Sequence, residues 1–164
     1  MSSMISATPE IAVAAGLKVT HSGHIGLNVS NLDRSRDFYQ NVFGLELISE
    51  SSNQGRRFAF LGEGERLVLT LWQQSTGSFD PGKPGLHHLS FYVADMEELK
   101  AVEARLRDLR IPVLHDGIVA HAENTPSGAV FFEDPDGIRL EIFSPVGAGG
   151  HRPATTKGPS CGFF

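Results

Sequence analysis

Two stretches of this 164-residue chain repeat one pattern. Gly23-His24-Ile25-Gly26-Leu27-Asn28-Val29 opens one half, and His87-His88-Leu89-Ser90-Phe91-Tyr92-Val93 opens the other. In each, a histidine stands five residues before a valine. His24 and His88 lie 64 positions apart (88 − 24), as do Val29 and Val93, and Asn31 and Asp95. A duplicated strand that begins with an imidazole narrows the choice of folds sharply, because paired modules tend to meet at one pseudo-symmetric site.

Periodicity fills in the rest of each half. Ile25, Leu27 and Val29 alternate with polar or small residues, the mark of a strand with one apolar face. Leu32, Phe38, Tyr39 and Val42 then recur at helical spacing, with Asn31 as the N-cap and Gly44 as the stop. Leu45 to Glu50, Arg56 to Leu61 and Arg66 to Gln73 follow as strands, separated by turn-rich segments. The second half repeats the order. His88 to Val93 is a strand, and Asp95 caps a helix with Glu98 completing a capping box. Leu99, Val102, Leu106 and Leu109 form that helix's buried stripe. Pro112 to His115, Gly128 to Glu133 and Ile138 to Phe143 are the remaining strands, and Asp134-Pro135-Asp136-Gly137 is a tight hairpin between the last two.

The chain therefore reads βαβββ twice, an α+β protein with modules over 22–74 and 86–146 in a single domain spanning 21–146. Residues 1–20 are expected to be a flexible leader. Residues 147–164 are rich in Gly, Pro, Ala and Thr and are expected to be disordered, although two aromatics at their end could dock. The 14 Lys and Arg are scattered and the net charge is −5, which argues against nucleic acid as a partner. No apolar run approaches the ~20 residues of a membrane helix, and the first residues lack the charged-then-apolar order expected of a signal peptide. Cys161 is the single cysteine, so neither an internal disulfide nor a cysteine-based zinc site can form. The expectation is a cytoplasmic protein.

Strand phase sorts the polar residues. His24 shares a face with Gly26 and Asn28, opposite Ile25, Leu27 and Val29. His88 shares a face with Ser90 and Tyr92, whereas His87 falls in phase with Leu89 and Phe91 and reads as a structural neighbour. Glu141 points away from Leu140 and Ile142. Two imidazoles and a carboxylate, His24, His88 and Glu141, are thus candidates to converge on one concave surface. Such a set suits a divalent first-row metal that keeps open positions for water or substrate. The same phase places Asn28, Thr70, Trp72, Ser90, Tyr92 and Arg139 on the ligand-bearing face as candidate substrate contacts. Trp72 could stack on a flat substrate or be a half-buried core residue. Arg139 could neutralise an acidic substrate or pair with a surface carboxylate. His121 is the candidate general base.

The chain resembles the vicinal oxygen chelate superfamily, which includes glyoxalase I, bleomycin-resistance proteins, fosfomycin-resistance enzymes and type I extradiol dioxygenases. The resemblance covers about Ser22 to Pro145. It is carried by the His-x-x-x-x-Val strand, by the run Arg-Asp-Phe-Tyr-Gln-Asn-Val-Phe-Gly-Leu-Glu-Leu from Arg36, and by Phe-Phe-Glu-Asp-Pro-Asp-Gly-Ile-Arg-Leu-Glu from Phe131. It implies a cupped, barrel-like mixed sheet around one metal (Fe, Mn, Ni, Zn or Co) and a homodimer. It also puts His24, His88 and Glu141 on the ligand positions and a small oxygenated organic molecule in the role of substrate.

Departures from the family pattern bear on the reaction. Glyoxalase I carries a fourth ligand, Glu or Gln, where this chain has Thr70, or Leu69 if the register slips by one; neither is a carboxylate, so the proton-shuttling ligand of that enzyme is missing. Extradiol dioxygenases carry a tyrosine where this chain has Phe131, itself a candidate substrate contact. Fosfomycin-resistance enzymes share the three-ligand set but place a lysine near the position of His121, while bleomycin-binding members lack the ligands altogether. The expected activity is that of a lyase or isomerase, or a ring-cleaving dioxygenase. A drug-binding resistance protein and a thiol transferase are the alternatives.

Overall fold

The computed structural model describes residues 21–51, 53 and 55–164, and the leader expected over 1–20 lies outside the described residues. The elements run β1 (Ile25–Val29), α1 (Leu32–Phe43), β2 (Glu46–Ser51), β3 (Phe58–Glu63), β4 (Arg66–Gln73), β5 (Leu89–Tyr92), α2 (Met96–Asp108), β6 (Val119–Ala120), β7 (Gly128–Glu133) and β8 (Arg139–Ser144). This is βαβββ twice, as the repeat requires. Asn31 caps α1 by accepting from Arg34 N, and Gly44 ends it at φ 67, a left-handed conformation that glycine adopts without a Cβ clash. Asp95 caps α2 by accepting from the backbone of Glu97 and Glu98. The Glu98 carboxylate reaches back to Ala94 N, one residue before the position the capping box predicts.

Each repeat forms its own four-stranded mixed sheet, in the orders β1-β4-β3-β2 and β5-β8-β7-β6. β1 pairs with β4, and β5 with β8, in parallel; the other pairs are antiparallel. The barrel-like closure expected from the resemblance does not form. β1 and β5 are each an edge strand of a separate sheet, and the two sheets are joined by packing rather than by a ladder.

That packing runs through α1. Its Phe43 ring lies 4.5 Å from Phe91 of β5, and its Phe38 ring 6.4 Å from Phe132 of β7. A single core results, drawing Leu27, Val29, Leu61 and Leu71 from the first repeat and Leu99, Leu106, Phe132 and Leu140 from the second. Each such burial contributes about 1.5–3 kcal/mol. The Asp134–Gly137 hairpin ties the repeats together by polar contacts. Asp136 accepts from Ser30 N, from Ser30 Oγ and from Arg34, and Tyr39 donates its hydroxyl to Asp134 at 3.0 Å. Gly137 sits at φ 83 in this turn.

Two expectations need correction. The strand expected over Pro112–His115 is reduced to an isolated bridge between Val113 and Phe132. His115, Asp116 and Gly117 follow at φ 60, 59 and 117, which turns the chain, and the pairing strand is Val119–Ala120 instead. The segment 147–164, expected to be disordered, folds back as a strap along β6. Ala120 N donates to Arg152 O, Ser160 N donates to His121 O, and Ser160 Oγ donates to Ala120 O. Ala148 and Ser160 are fully buried. Main-chain pairing to an open sheet edge needs no side-chain periodicity, so composition alone could not reveal it. Among the described residues no helix is long and apolar enough to cross a membrane.

Candidate metal centre

Glu141 sits in the middle of the second sheet, opposite Ser90 of β5 and Phe131 of β7. Its neighbours Leu140 and Ile142 are buried in the core, which turns the carboxylate to the other face. It is nevertheless only 4% exposed. A buried carboxylate is costly unless charges or donors meet it. Here His121 Nε2 lies 2.6 Å from Oε1 and His88 Nε2 lies 3.1 Å from Oε2. Burial would raise the Glu141 pKa, but hydrogen bonds from His121 and Ser90 and the charge of the two imidazoles outweigh it and hold the group below its ordinary value.

Both imidazoles are themselves held. His121 Nδ1 is 2.9 Å from Ser127 Oγ, and its carbonyl accepts from Ser160 N in the strap. His88 Nδ1 is 2.8 Å from His87 Nδ1. His87 is therefore more than a bystander: although it is exposed, it contacts the ring of its neighbour.

His24, the third expected ligand, is exposed just before β1. It lines a cavity of about 370 Å³ with Arg66, Val68, Ser90 and Tyr92. The structure thus brings Glu141 together with His88 and His121, not with His24. Among the described residues no group of three or more His, Cys, Asp or Glu side chains is arranged to hold a metal ion. One chain offers imidazole and carboxylate donors of the chemistry that suits a first-row divalent cation, but His88, His121 and Glu141 bond one another and are not arranged around an ion.

The remaining candidates divide. Ser90 bonds Glu141, and Tyr92, 63% exposed, stands beside Phe143 on the same face. Phe131 is fully buried beneath Phe164. Arg139 lies over the Phe164 ring at 5.4 Å rather than on a carboxylate. On the first sheet Thr70 is buried and accepts from Trp72 Nε1 at 3.1 Å; a Cβ at Gly26 would approach the same hydroxyl to 3.3 Å. Trp72 is half-buried in an aromatic group with Phe58 and Phe60. Asn28 accepts from Gln74 N, a structural use.

Sequence reasoning missed Ser127 and left open where Phe164 docks. The Ser127 contact depends on a loop turning at Asn124, φ 58, and Phe164 reaches the site only because the strap returns. Cys161 returns with it. Burial and the nearby Glu141 charge raise its thiol pKa.

A family model described as "Glyoxalase/Bleomycin resistance protein/Dioxygenase superfamily" matches residues 21–142. The chain belongs to that superfamily. It is 33% identical over 125 residues to a lactoylglutathione lyase of Neisseria meningitidis, covering 73% of this chain and 86% of the lyase. It is 29% identical over 127 residues to a catechol-2,3-dioxygenase of Bacillus subtilis, covering 76% of this chain. The match takes in 41% of that dioxygenase, so the chain spans less than half the length of this relative. A solved glyoxylase/bleomycin resistance protein/dioxygenase domain from Frankia superposes with a TM-score of 0.65 at 26% identity, covering 77% of this chain and 93% of that one. The strap lies beyond the residues the superfamily model matches.

Proposed function

We propose that this chain is a metal-dependent enzyme of the superfamily, acting on a small organic substrate that presents two neighbouring oxygens. The ligands are His88 and Glu141 of one chain and His24 of a second copy, in a cytoplasmic homodimer. The observation that carries this reading is the buried Glu141 carboxylate flanked by the imidazoles of His88 and His121, on the face of the second sheet that it shares with Ser90. Named relatives at comparable identity are a lyase and a dioxygenase, which supports turnover over mere binding.

The second copy follows from where the donors stand. His24, Thr70 and Trp72 share the face of the first sheet that turns away from α1, and Glu141 shares the corresponding face of the second. Both faces leave aromatic surface partly uncovered: Phe58, Phe60 and Trp72 on one, Tyr92 on the other. Laying the first sheet of one copy over the second sheet of another covers both and adds the third donor.

When bound, the metal would act as a Lewis acid that stabilises negative charge on the substrate's oxygens. His121, within reach of the same face and oriented by Ser127, accepts the proton the substrate loses. Ser90 and His87 fix Glu141 and His88. With Thr70 buried and occupied by Trp72, the first sheet contributes no carboxylate, which separates this site from that of glyoxalase I. The Phe58–Phe60–Trp72 group favours, as a second reading, a protein that stacks and sequesters a flat drug without turnover.

Metal analysis tests the proposal. Purified protein offered Fe(II), Mn(II), Co(II), Ni(II) and Zn(II) in turn is expected to retain about one ion of at least one kind per chain, and His88→Ala and Glu141→Ala to retain none. Iron with oxygen uptake on catechols selects the dioxygenase branch, and another metal the lyase or isomerase branch. Turnover with an added thiol and an epoxide selects the transferase. A wild-type protein that takes up none of these ions refutes the metal reading. Ligand affinity indifferent to His24→Ala establishes the sequestering one.

A further inference from the structure

His121 follows a strand too short to hold it. β6 is two residues long and pairs with β7 at Ala129 and Gly128, well below the usual length of a strand. On the other edge of β6 the strap takes over. Ala120 bridges Pro153 in parallel and donates its amide to Arg152 O. Ser160 then binds the carbonyls of two successive residues. Its hydroxyl donates to Ala120 O at 2.6 Å, and its amide donates to His121 O at 2.8 Å.

Ser160 is itself fixed. It is fully buried, its hydroxyl also accepts from Ala154 N at 3.0 Å, and its carbonyl accepts from Phe163 N. Amide, hydroxyl and carbonyl are thus all paired, as buried polar groups require. On the other side of His121, Ser127 O accepts from the His121 amide at 3.1 Å, and Ser127 Oγ meets Nδ1. The imidazole reaches Glu141 through Nε2, and its ring stands 5.8 Å from Phe143. Ser127 therefore sets how the imidazole is turned, and Ser160 sets where the main chain that carries it stands.

We propose that Ser160 is a positioning residue for His121, which makes the strap a working part of the centre and not just a cover on the sheet edge. The inference rests on the reading of His121 as the group that accepts the substrate's proton, and adds what holds that group in place. Without the Ser160 hydroxyl, the buried Ala120 carbonyl loses this donor, and the end of β6 is freed from the strap. The imidazole then drifts from Glu141 and from the proton it is to take. A displacement of about 1 Å is enough to lower a rate about 100-fold. His88 and Glu141 are untouched, so the ion stays.

The test compares Ser160→Ala, in the full chain, with wild type and with Ser144→Ala. Ser144 is an equally buried serine whose hydroxyl donates to Val146 O and shares no partner with His121, so it shows what losing a buried hydroxyl does by itself. Metal content, the nuclear Overhauser contact between the His121 and Phe143 rings, and kcat and KM on the substrate class that turns over are measured for all three. Metal content is expected to be equal throughout. Only Ser160→Ala should weaken the ring contact and lower kcat, by about tenfold or more at unchanged KM. A wild-type ring contact in Ser160→Ala, an equal loss in Ser144→Ala, or a raised KM at unchanged kcat overturns the role of Ser160. If Ser160→Ala does not fold, hydrogen exchange of the wild type in mild denaturant decides. The Ser160 and His121 amides should open together and before those of β3, and a His121 amide that stays protected once Ser160 exchanges overturns the role. A wild type without metal refutes the metal reading alone, because the ring contact still judges Ser160.

Discussion

His121 Nε2 lies 2.6 Å from Glu141 Oε1, a contact that spans the second sheet from the loop after β6 to the centre of β8. In the metal-free protein this contact, together with Ser90, keeps the Glu141 pKa below its ordinary 4.5 despite burial. The folded state therefore holds the carboxyl proton less tightly than the unfolded chain does. The resulting stabilisation is present above that ordinary value and lost as pH falls through the depressed one. His121→Ala removes a main cause of the depression, so the acid-unfolding midpoint of the metal-free protein should move to higher pH. Circular dichroism during acid titration reads this, and an unmoved midpoint would show that the contact carries no weight.

His87, which strand phase makes a structural neighbour, touches His88 through the two Nδ1 atoms, 2.8 Å apart. A ligating imidazole binds best when its second nitrogen is held. His87→Ala should keep the metal yet weaken its retention against a competing chelator by about tenfold or more, whereas His88→Ala should lose it outright.

Asp136 joins the two repeats by accepting from Ser30 and Arg34. Truncation to Ala leaves the part-buried Ser30 amide without its acceptor and should cost about 2–3 kcal/mol. Urea unfolding followed by fluorescence checks this, and a loss below about 0.5 kcal/mol would place the junction's strength in apolar packing alone.

Tyr39 is fully buried and donates to Asp134. Burial first, then the Asp134 charge, holds its phenol well above the ordinary 10.0. The folded state keeps that proton more tightly than the unfolded chain, so its contribution is complete below the ordinary value and disappears as pH rises toward the folded one. Wild type should lose stability from about pH 10 upward more steeply than Tyr39→Phe, which forgoes about 1 kcal/mol of hydrogen bonding at neutral pH. Thermal melts of both proteins across the alkaline range give the comparison.

The repeat made the two βαβββ units legible, because Leu27, Val29, Leu140 and Ile142 declare their buried face by alternation, and Asn31 and Asp95 announce helix starts. The same alternation puts Glu141, Ser90 and Arg139 on one face, where Ser90 stands opposite Glu141. What it did not carry was the relation between repeats. Nothing local tells a strand that its sheet will stay open, so the alternation alone does not say that the repeats meet by the packing of α1 on Phe91 and Phe132 and not through a shared ladder. The strap escaped for a related reason: Arg152 and Ser160 bind the β6 edge through main-chain atoms, which leave no pattern in side chains. Phe164 and Cys161 reach the site only through that pairing.

Subunit complementation tests the shared centre most directly. His24→Ala and Glu141→Ala chains, each carrying a different tag, are purified alone and as the mixed dimer, and their metal is counted. With His24 of one copy serving His88 and Glu141 of the other, each homodimer holds no metal and the mixed dimer holds one ion, in the site that escapes both substitutions. A mixed dimer as empty as its parents would contradict a centre built between two copies.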